Sequence, residues 1–251
     1  MRSLYAAASG MAAQQTRLDN IANNLANVST TAFKKSRESF EDLFYQELTH
    51  GGMSASTSRV EVGSGVSLSG IVKDHRNGQI MATGGTFDLA IEGRGYFQVE
   101  NQEGEIFFTR DGNFKTDQDG VLRTAAGLTL SGNIGIPRDA ERVTILEDGT
   151  ILAERGTEAT TIGVIELRNF VNPGGLSPEG GNLYSETVSS GSPLPPEPGE
   201  AAIRQGFLEG SNVEVAEELI GMIAAQRAYE LNSKVIQASD EVMRTATSIR
   251  R

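Results

Sequence analysis

The sequence predicts a mixed fold, in which a central all-β domain of short antiparallel strands is flanked by N- and C-terminal α-helices that pair as a coiled coil. Both ends of the chain repeat apolar residues every three and four positions, a spacing typical of helices. The middle alternates with period two and is interrupted by glycine-containing turns, which favours antiparallel hairpins. We expect a helix in 1–34, an extended linker in 35–72, a β-rich domain in 73–184, a Pro/Gly-rich linker in 185–211 and a helix in 212–251.

The N-terminal helix carries an apolar stripe at heptad spacing. Ser3 fits its N-cap position, because a serine hydroxyl can accept a hydrogen bond from the first turn. A stripe of this kind usually packs a helix on its own domain, and it also suits a seam between helices. The residues expected in the seam are Leu4, Met11, Leu18, Ile21, Leu25 and Val28, with Gln14 as a polar exception.

The C-terminal helix has the same kind of pattern on two faces. Ser211 and Glu214 match a capping box that would open it. A helix of about 37 residues would be about 55 Å long, and two apolar faces need more than one neighbour. The expected seam is Val215, Leu219, Met222, Tyr229, Ile236 and Met243, and nearly opposite lie Ile220, Leu231, Val235, Val242 and Ile249.

Composition excludes several classes of protein. The formal net charge is −11 over 251 residues, which argues against a binder of nucleic acid or anionic membranes. The chain has no Cys, so no disulfide or thiolate metal site can form. There is no run of about 18 apolar residues that could enter a bilayer, and the N-terminus lacks the continuous apolar stretch of a secretory signal peptide.

No motif indicates catalysis. His50 and His75 have no spacing that brings them together, and metal sites usually need three or four ligands. The acidic run from Asp111 to Asp119 fails the spacing of a calcium loop, and hairpin turns explain it better. The glycines Gly93 and Gly95 lack the rest of a dinucleotide fingerprint. We therefore expect no catalytic, cofactor or metal site, and a protein that is not an enzyme.

Neutral amides replace charges along the N-terminal helix. Between Ser3 and Phe33 the only charged residues are Arg17 and Asp19, although an exposed helix face normally carries Glu and Lys. An amide loses less than a charge when it is buried. One reading is that the amides fray and cap the helix end. The favoured reading is that the amides make dry contacts between subunits, at Asn20, Asn23, Asn24 and Asn27.

Four blocks of the sequence resemble the bacterial flagellar rod and hook proteins. They are "LDNIANNLANVSTTAFKKSRESFEDLFYQ", "FDLAIEGRGYFQV", "FTRDGNFKTDQDGVLRTAAGL" and "GFLEGSNVEVAEELIGMIAAQRAYELNSKVIQASDEVM". The overall length and the last block most resemble the distal rod members. One position departs from the family pattern, because Ala32 stands where a Gly usually precedes the Phe. If that Gly has φ > 0 in relatives, either the turn differs here or Ala32 is strained.

The resemblance implies a structural subunit that polymerises into a hollow helical driveshaft and transmits motor torque to the hook. It implies a rod that spans the periplasm within the basal body, built from subunits exported by the flagellar type III apparatus without a cleaved signal. The implied partners are further copies of the chain, proximal rod proteins, the hook protein, surrounding ring proteins and the export apparatus. No cofactor, nucleic acid or membrane insertion is expected.

The resemblance also implies that the C-terminal helix is the inner one of the tube. Charges need water or partners, and the channel is the water available inside a tube. We therefore expect four charged residues to face the channel or pair across subunits: Lys234, Asp240, Glu241 and Arg244.

Two other functions stay open from the sequence. One is an acidic secreted β-domain binding module whose helices form a small closed coiled-coil oligomer. The other is a hydrolase with a carboxylate site in the β domain, which lacks any supporting constellation of residues.

Overall fold

The computed structural model describes residues 2–48, 60–132, 134–156 and 158–249, so His50 lies outside the described residues. The chain divides into two compact units. Unit 1 comprises Met1–Ala26, Ser36–Val72 and Glu214–Arg251, and unit 2 comprises Asn27–Lys35 and Lys73–Val213. No helix in the described part of the chain is long and apolar enough to cross a membrane.

Unit 1 contains the two helices, α1 (Arg2–Ala26) and α2 (Val215–Ile249). They run antiparallel, because Gly10 in the first half of α1 faces Asn232 and Ile21 near its end faces Gly221. A Cβ on Gly10 would stand 2.9 Å from the Asn232 amide nitrogen, so Gly10 leaves the space that the Asn232 side chain occupies. At two positions the helix pair thus packs a glycine of one helix against a larger side chain of the other.

The start of α2 differs from the expected capping box. Ser211 accepts a hydrogen bond from the Val213 N–H at 3.3 Å, whereas the helix begins only at Val215. At the start of α2, the Glu218 N–H donates a hydrogen bond to the Glu214 carbonyl. The capping-box prediction is wrong because Ser211 lies four residues before the helix and closes a local turn instead.

The segment expected as an extended linker contains four strands of unit 1. These are β1 (Ser36–Asp42), β2 (Tyr45–Leu48), β3 (Val60–Gly63) and β4 (Val66–Lys73). Strand β1 pairs with β4, and β2 pairs antiparallel with β3. Burial alternates along β1, which is the mark of a strand with one covered face.

Unit 2 is built almost entirely of short strands. Its largest sheet has eight strands, in the order β16-β17-β8-β7-β11-β10-β9 with β15 also on β7. Three strands form β12-β13-β14, and two-stranded sheets join β18 to β6 and β19 to β5. Every pairing between these strands is antiparallel, as the sequence predicts. The strands are β5 (Ile80–Ala82), β6 (Leu89–Gly93), β7 (Tyr96–Glu100), β8 (Ile106–Thr109), β9 (Phe114–Thr116), β10 (Leu122–Thr124), β11 (Thr129–Leu130), β12 (Arg142–Ile145), β13 (Thr150–Arg155), β14 (Glu158–Val164), β15 (Leu167–Arg168), β16 (Ser177–Gly180), β17 (Leu183–Ser185), β18 (Ala201–Gln205) and β19 (Phe207–Glu209).

The segment 185–211, expected as a linker, contributes two strands to unit 2. Ile203 on β18 is 1% exposed and joins the main apolar core beside Ile91, its partner on β6. Phe97 and Ile151 complete the centre of that core, and both are fully buried. The end of this segment therefore belongs to the β domain, and its burial holds the last part of unit 2 in place.

Candidate functional site: the terminal helices and a buried ionic cluster

The expected seam on α1 is partly covered within the chain. Ile21 is buried, at 4% exposure, and packs near Gly221 of α2. Leu4, Met11, Leu18 and Leu25 are half-buried. The last expected member of this seam, Val28, lies in the turn that follows α1 rather than on the helix.

The contact of α2 with α1 of the same chain involves other residues than the expected assembly seam, which stays a prediction. The face turned towards α1 is lined by smaller residues, with Gly221 against Ile21, Ala225 fully buried and Asn232 against Gly10. Small residues let two helices pack closely, so they occupy the contact while larger side chains lie beside it. Gly221, Ala225 and Asn232 are separated by four and seven positions, a helical spacing that is visible in the sequence.

The larger apolar side chains of α2 stay available on the surface of the chain. Of the expected seam, Met222 and Ile236 are half-buried, and four others are 38–44% exposed: Val215, Leu219, Tyr229 and Met243. On the second face, Ile220, Leu231, Val235 and Val242 are between 46% and 69% exposed. One neighbouring helix thus leaves most of the apolar surface of α2 uncovered.

Asn24 binds the backbone of its own chain. Its Oδ1 accepts a hydrogen bond from the Ser36 N–H at 2.9 Å, and its Nδ2 donates to the Ser36 carbonyl at 3.0 Å. An amide side chain carries the same donor and acceptor as a peptide group. Asn24 therefore serves as a substitute strand partner at the start of β1, a task that neither Lys nor Glu can perform.

Asn20 makes similar contacts, and together the two residues correct the expected inter-subunit role. Its Nδ2 donates to the Ser36 carbonyl at 2.9 Å and to the Glu38 carboxylate. Asn20 and Asn24 are 7% and 2% exposed within the single chain. The prediction that these two residues form dry contacts between subunits is wrong, because β1 of the same chain already covers them.

For the other two amides, Asn23 and Asn27, a contact between subunits stays a prediction. Asn23 is exposed on α1. Asn27 lies in the turn after the helix, where its Oδ1 accepts a hydrogen bond from the Thr30 hydroxyl at 3.2 Å. The capping interpretation thus fits Asn27.

The four charges expected in the channel all lie on the exposed surface of α2. Lys234, Asp240, Glu241 and Arg244 are each solvent-exposed. Arg244 pairs with Asp240 at 3.0 Å, one helical turn away. A single chain contains no channel, so their orientation in an assembly stays a prediction.

A buried ionic cluster in unit 2 has no counterpart among the sequence predictions. The Glu209 carboxylate is fully buried; its Oε1 lies 2.6 Å from Lys34 Nζ and its Oε2 lies 2.8 Å from Arg110 Nε. The side chain of Lys34 is also fully buried, and that of Arg110 is 3% exposed. Two cations therefore share one carboxylate out of contact with water.

Backbone groups complete the hydrogen bonding of this cluster. Lys34 Nζ also donates to the Arg76 carbonyl at 2.7 Å, and Arg110 donates to the carbonyls of Ile91 and Gly93. The Gly78 N–H donates to Glu209 Oε1 at 2.8 Å. Burial lowers the pKa of Lys34 to about 8, with the Glu209 charge as the largest opposing effect.

Ala32 adopts a left-handed backbone conformation, which is more favourable for Gly than for Ala. Its φ is +55°, its side chain is 1% exposed, and its N–H donates to the Glu209 carbonyl at 2.8 Å. Of the two expectations, strain at Ala32 is the one that this backbone conformation supports.

We expect Ala32→Gly to leave the stability of unit 2 nearly unchanged. Left-handed backbone costs an L-residue about 1–2 kcal/mol, whereas the greater unfolded-state freedom of Gly costs about 0.5–1 kcal/mol and the lost burial of one methyl group costs about 0.8 kcal/mol. The unfolding free energy, measured by urea denaturation, should therefore change by less than about 0.5 kcal/mol, whereas an unstrained buried Ala→Gly change would lower it by about 1–2 kcal/mol. Gly135→Ala is a suitable control, since a Cβ there meets no atom within 4 Å. A loss of more than about 1 kcal/mol in Ala32→Gly would contradict the strain assignment.

His75 lies in an aromatic cluster of unit 2. Its Nδ1 is 2.8 Å from the Tyr96 hydroxyl, and its ring packs edge-on against Tyr184. Burial lowers the pKa of His75 to about 4, and the positive charges of Lys34, Arg110 and Lys73 act in the same direction against a smaller opposing effect of Asp74. The folded protein thus holds this imidazole neutral.

This burial of His75 predicts acid sensitivity between pH 6.5 and 4. In that window the unfolded chain binds a proton at His75 and the folded chain does not, so stability is complete above pH 6.5 and falls with decreasing pH. The loss amounts to about 3 kcal/mol by pH 4. Urea denaturation of wild type and His75→Gln at several pH values checks it. Equal slopes in the two proteins between pH 4 and 6.5 would refute it.

In residues 2–48, 60–132, 134–156 and 158–249, no three His, Cys, Asp or Glu side chains are grouped so that they could hold a metal ion.

Comparison with known families matches three stretches of the chain. Residues 4–34 match the flagella basal body rod protein family, residues 90–153 match the D1 domain of the flagellar hook proteins FlgE/F/G, and residues 204–249 match the C-terminal region of the flagellar basal body rod FlgEFG proteins. The relatives are also similar over nearly their whole length. The flagellar basal-body rod protein FlgG of Agrobacterium fabrum is 42% identical over 253 residues, which covers 96% of this chain and 97% of that protein.

The chain belongs to the flagellar rod and hook family. FlgG of Borreliella burgdorferi is likewise 42% identical, over 100% of this chain and 99% of that protein. FlgF of Caulobacter vibrioides is 35% identical, over 97% of this chain and 96% of that protein. The similarity is higher to these FlgG proteins than to this FlgF protein.

The buried ionic cluster takes one residue from each of the three matched family regions. Lys34 ends the first region, Arg110 lies in the second and Glu209 lies in the third. Regions that are far apart in this rod-family sequence therefore meet at one carboxylate. Sequence reasoning missed the cluster because each residue is unremarkable in its local segment.

Proposed function

We propose that this rod-family chain is a structural subunit of the distal flagellar rod, which polymerises into a hollow helical driveshaft and carries motor torque to the hook. The observation that carries the proposal is the apolar surface left uncovered on α2, where Ile220, Leu231 and Val242 are each more than 60% exposed. Surfaces of this kind mark sites of association. The similarity to proteins named basal-body rod protein FlgG supports the distal position.

Assembly through the helices would bury this surface in every subunit. Each copy of α2 would pack its free apolar face on helices of neighbouring copies, as a helix with two apolar faces requires. Close-packed apolar contacts resist deformation, so torsional load would be shared by many identical seams. The coiled-coil arrangement expected from the heptads is part of this proposal.

Gln14 gives a second reason to expect neighbouring chains at α1. Its side-chain carbonyl oxygen is buried and has no hydrogen-bond partner within the described part of the chain. A buried unsatisfied acceptor costs about 1–3 kcal/mol. A donor from an adjacent subunit would remove that cost if the Gln14 side chain turned outward on assembly, because its own chain covers the oxygen in the single subunit.

The remaining amides and charges fit the same assembly. Asn23 and Asn27 would lie in contacts between subunits, and Lys234, Asp240, Glu241 and Arg244 would face the channel or pair across subunits. Cysteines at positions 23 and 241 test this arrangement by their rates of labelling with a small thiol reagent. Both positions are exposed in the single chain, so the unassembled protein is the control. Faster labelling at 23 than at 241 in assembled rods would refute it.

The proposed location is the rod that crosses the periplasm within the basal body, reached through the flagellar export apparatus without a cleaved signal. The proposed neighbours are further copies of the chain, proximal rod proteins, the hook protein and the surrounding rings. The role is mechanical and requires no catalytic residue.

Sedimentation and electron microscopy of the purified chain test the proposal. A rod subunit should be monomeric when dilute and form open filaments when concentrated, because its helical contacts do not close. One defined small oligomer at all concentrations would favour the alternative, an acidic secreted binding module, for which the relatives provide no support. Hydrolysis of peptide and glycan substrates would favour the third reading, a hydrolase.

A further inference from the structure

We propose that Lys34, Arg110 and Glu209 form an ionic lock that holds the first and last segments of unit 2 in a single register. The lock would specify one conformation rather than add net stability. This inference concerns the folded subunit itself and goes beyond its proposed role in the rod.

The cluster joins the first and last segments of unit 2 to a residue from the middle of its sequence. Glu209 ends β19 in the last segment of the unit, and Lys34 lies in the first, 175 positions earlier in the chain. Arg110 follows β8 in the middle of the sequence. Since each Glu209 oxygen contacts one cation, neither end can move without breaking an ion pair.

Backbone hydrogen bonds between the same segments define the register. The Ala32 N–H donates to the Glu209 carbonyl at 2.8 Å, and the Asn212 N–H donates to the Phe33 carbonyl at 3.3 Å. Asn212 adds side-chain contacts, because its Oδ1 accepts from the Lys35 N–H at 2.7 Å and its Nδ2 donates to the Asp74 carbonyl at 2.8 Å. The two segments are thus matched residue by residue.

The charge balance explains why the cluster should act on specificity. Removing three charged groups from water costs free energy. Because two cations share one carboxylate, their attraction to it offsets only part of this desolvation cost. A shift by one residue would take Lys34 away from Glu209 and leave a buried carboxylate with one partner fewer. The native register is therefore favoured because the alternatives are penalised.

The two locked segments lead directly into α1 and α2 along the chain. Residues 27–35 follow α1 after Ala26, and the last segment of unit 2 ends at Val213, two residues before α2 begins. The lock thus fixes the places at which both connecting segments leave unit 2. In a subunit that bears load through its helices, these places are where a second conformation would be most harmful.

Hydrogen exchange measured on the unassembled wild-type chain tests the lock directly. The amides of Ala32, Gly78 and Asn212 should open together, with one common protection factor that responds equally to low concentrations of denaturant, because they are held by a single cooperative unit. Independent opening of these amides, or exchange at the rate of an unprotected amide, would overturn the proposal.

A triple variant separates specificity from stability. Lys34→Met, Arg110→Met and Glu209→Leu together replace the cluster by apolar side chains. We expect a cooperative unfolding transition close to that of the wild type, while exchange at Ala32 and Asn212 becomes at least about tenfold faster and the core amides of Val99 and Ile151 keep their protection. Unchanged exchange at Ala32 and Asn212 would overturn the lock.

The matched control is the exposed ion pair between Arg204 and Glu92, on paired strands of the same unit. Glu92→Leu with Arg204→Met should leave exchange at Ala32 and Asn212 unchanged. If the triple variant does not fold, the wild-type exchange measurement decides alone. Neither measurement involves filaments, so failure of the lock would leave the rod proposal standing, and failure to polymerise would leave the lock standing.

Discussion

Glu209→Gln should reduce the unfolding free energy of unit 2 by about 3–5 kcal/mol, which is a large share of the stability of a domain of this size. The substitution keeps the shape of the side chain and removes its charge. Arg110 would then remain charged without its counter-ion, and Lys34, whose pKa is already lowered to about 8 by burial, would have to release its proton or stay charged out of contact with water. Urea denaturation followed by circular dichroism of the β structure measures the change.

The control for Glu209→Gln is Glu92→Gln, which removes the same charge from an ion pair on the surface. Surface pairs contribute about 0–1 kcal/mol, so this variant should unfold almost like the wild type. If Glu209→Gln were as mild as Glu92→Gln, the assignment of Glu209 as the charged centre of the cluster would be wrong. The single variant is expected to be far worse than the apolar triple variant, since only the single variant leaves cations unpaired.

Local patterns in the sequence predicted most of the secondary structure. The spacing of apolar residues every three and four positions places α2 within three residues of its observed ends and α1 within one residue of its start. The expected helix in 1–34 is eight residues too long at its C-terminal end, because the chain turns after Ala26. The antiparallel strands between residues 89 and 164 were likewise predicted from alternation and Gly-containing turns. These features depend on contacts that are short in sequence.

The strands that were missed depend on distant partners. Strand β18 pairs with β6, so that Ala201 lies opposite Gly93 across more than half of unit 2. The composition around β18 suggests only a proline-rich loop, and that around β3 suggests only a flexible Ser/Gly stretch. A short strand without strong alternation is recognised only once its partner is known.

The site was predicted in part for the same reason. The absence of charges on α1 correctly indicated buried amides, yet sequence alone could not tell whether Asn20 and Asn24 are covered by another subunit or by Ser36 and Glu38 of their own chain. On α2, the face turned towards α1 carries Gly221 and Ala225, and most of the larger side chains expected in the assembly seam are exposed in the single chain. Local spacing marks such side chains as apolar, but it does not specify which neighbouring helix covers them.

Leu18→Asp should abolish filament formation and motility while unit 2 stays folded. Leu18 is half-buried on α1, at a heptad position of the proposed seam. A carboxylate taken out of water without a partner costs several kcal/mol, and in a polymer every subunit repeats that cost. The critical concentration for assembly should therefore rise by at least about a hundredfold, since each 1.4 kcal/mol changes an equilibrium constant about tenfold.

The assay compares Leu18→Asp with two neighbouring changes. Leu18→Met keeps an apolar side chain of similar volume, and Asp19→Asn changes the charge at an exposed position next to it. Both should assemble and support swimming, whereas Leu25→Asp should fail like Leu18→Asp. Hydrogen exchange at the core amides of Val99 and Ile151 should match the wild type in each variant, because unit 2 contains neither position. Normal swimming with Leu18→Asp or Leu25→Asp would remove that residue from the seam, and loss of assembly in Leu18→Met would show that shape rather than charge governs the contact.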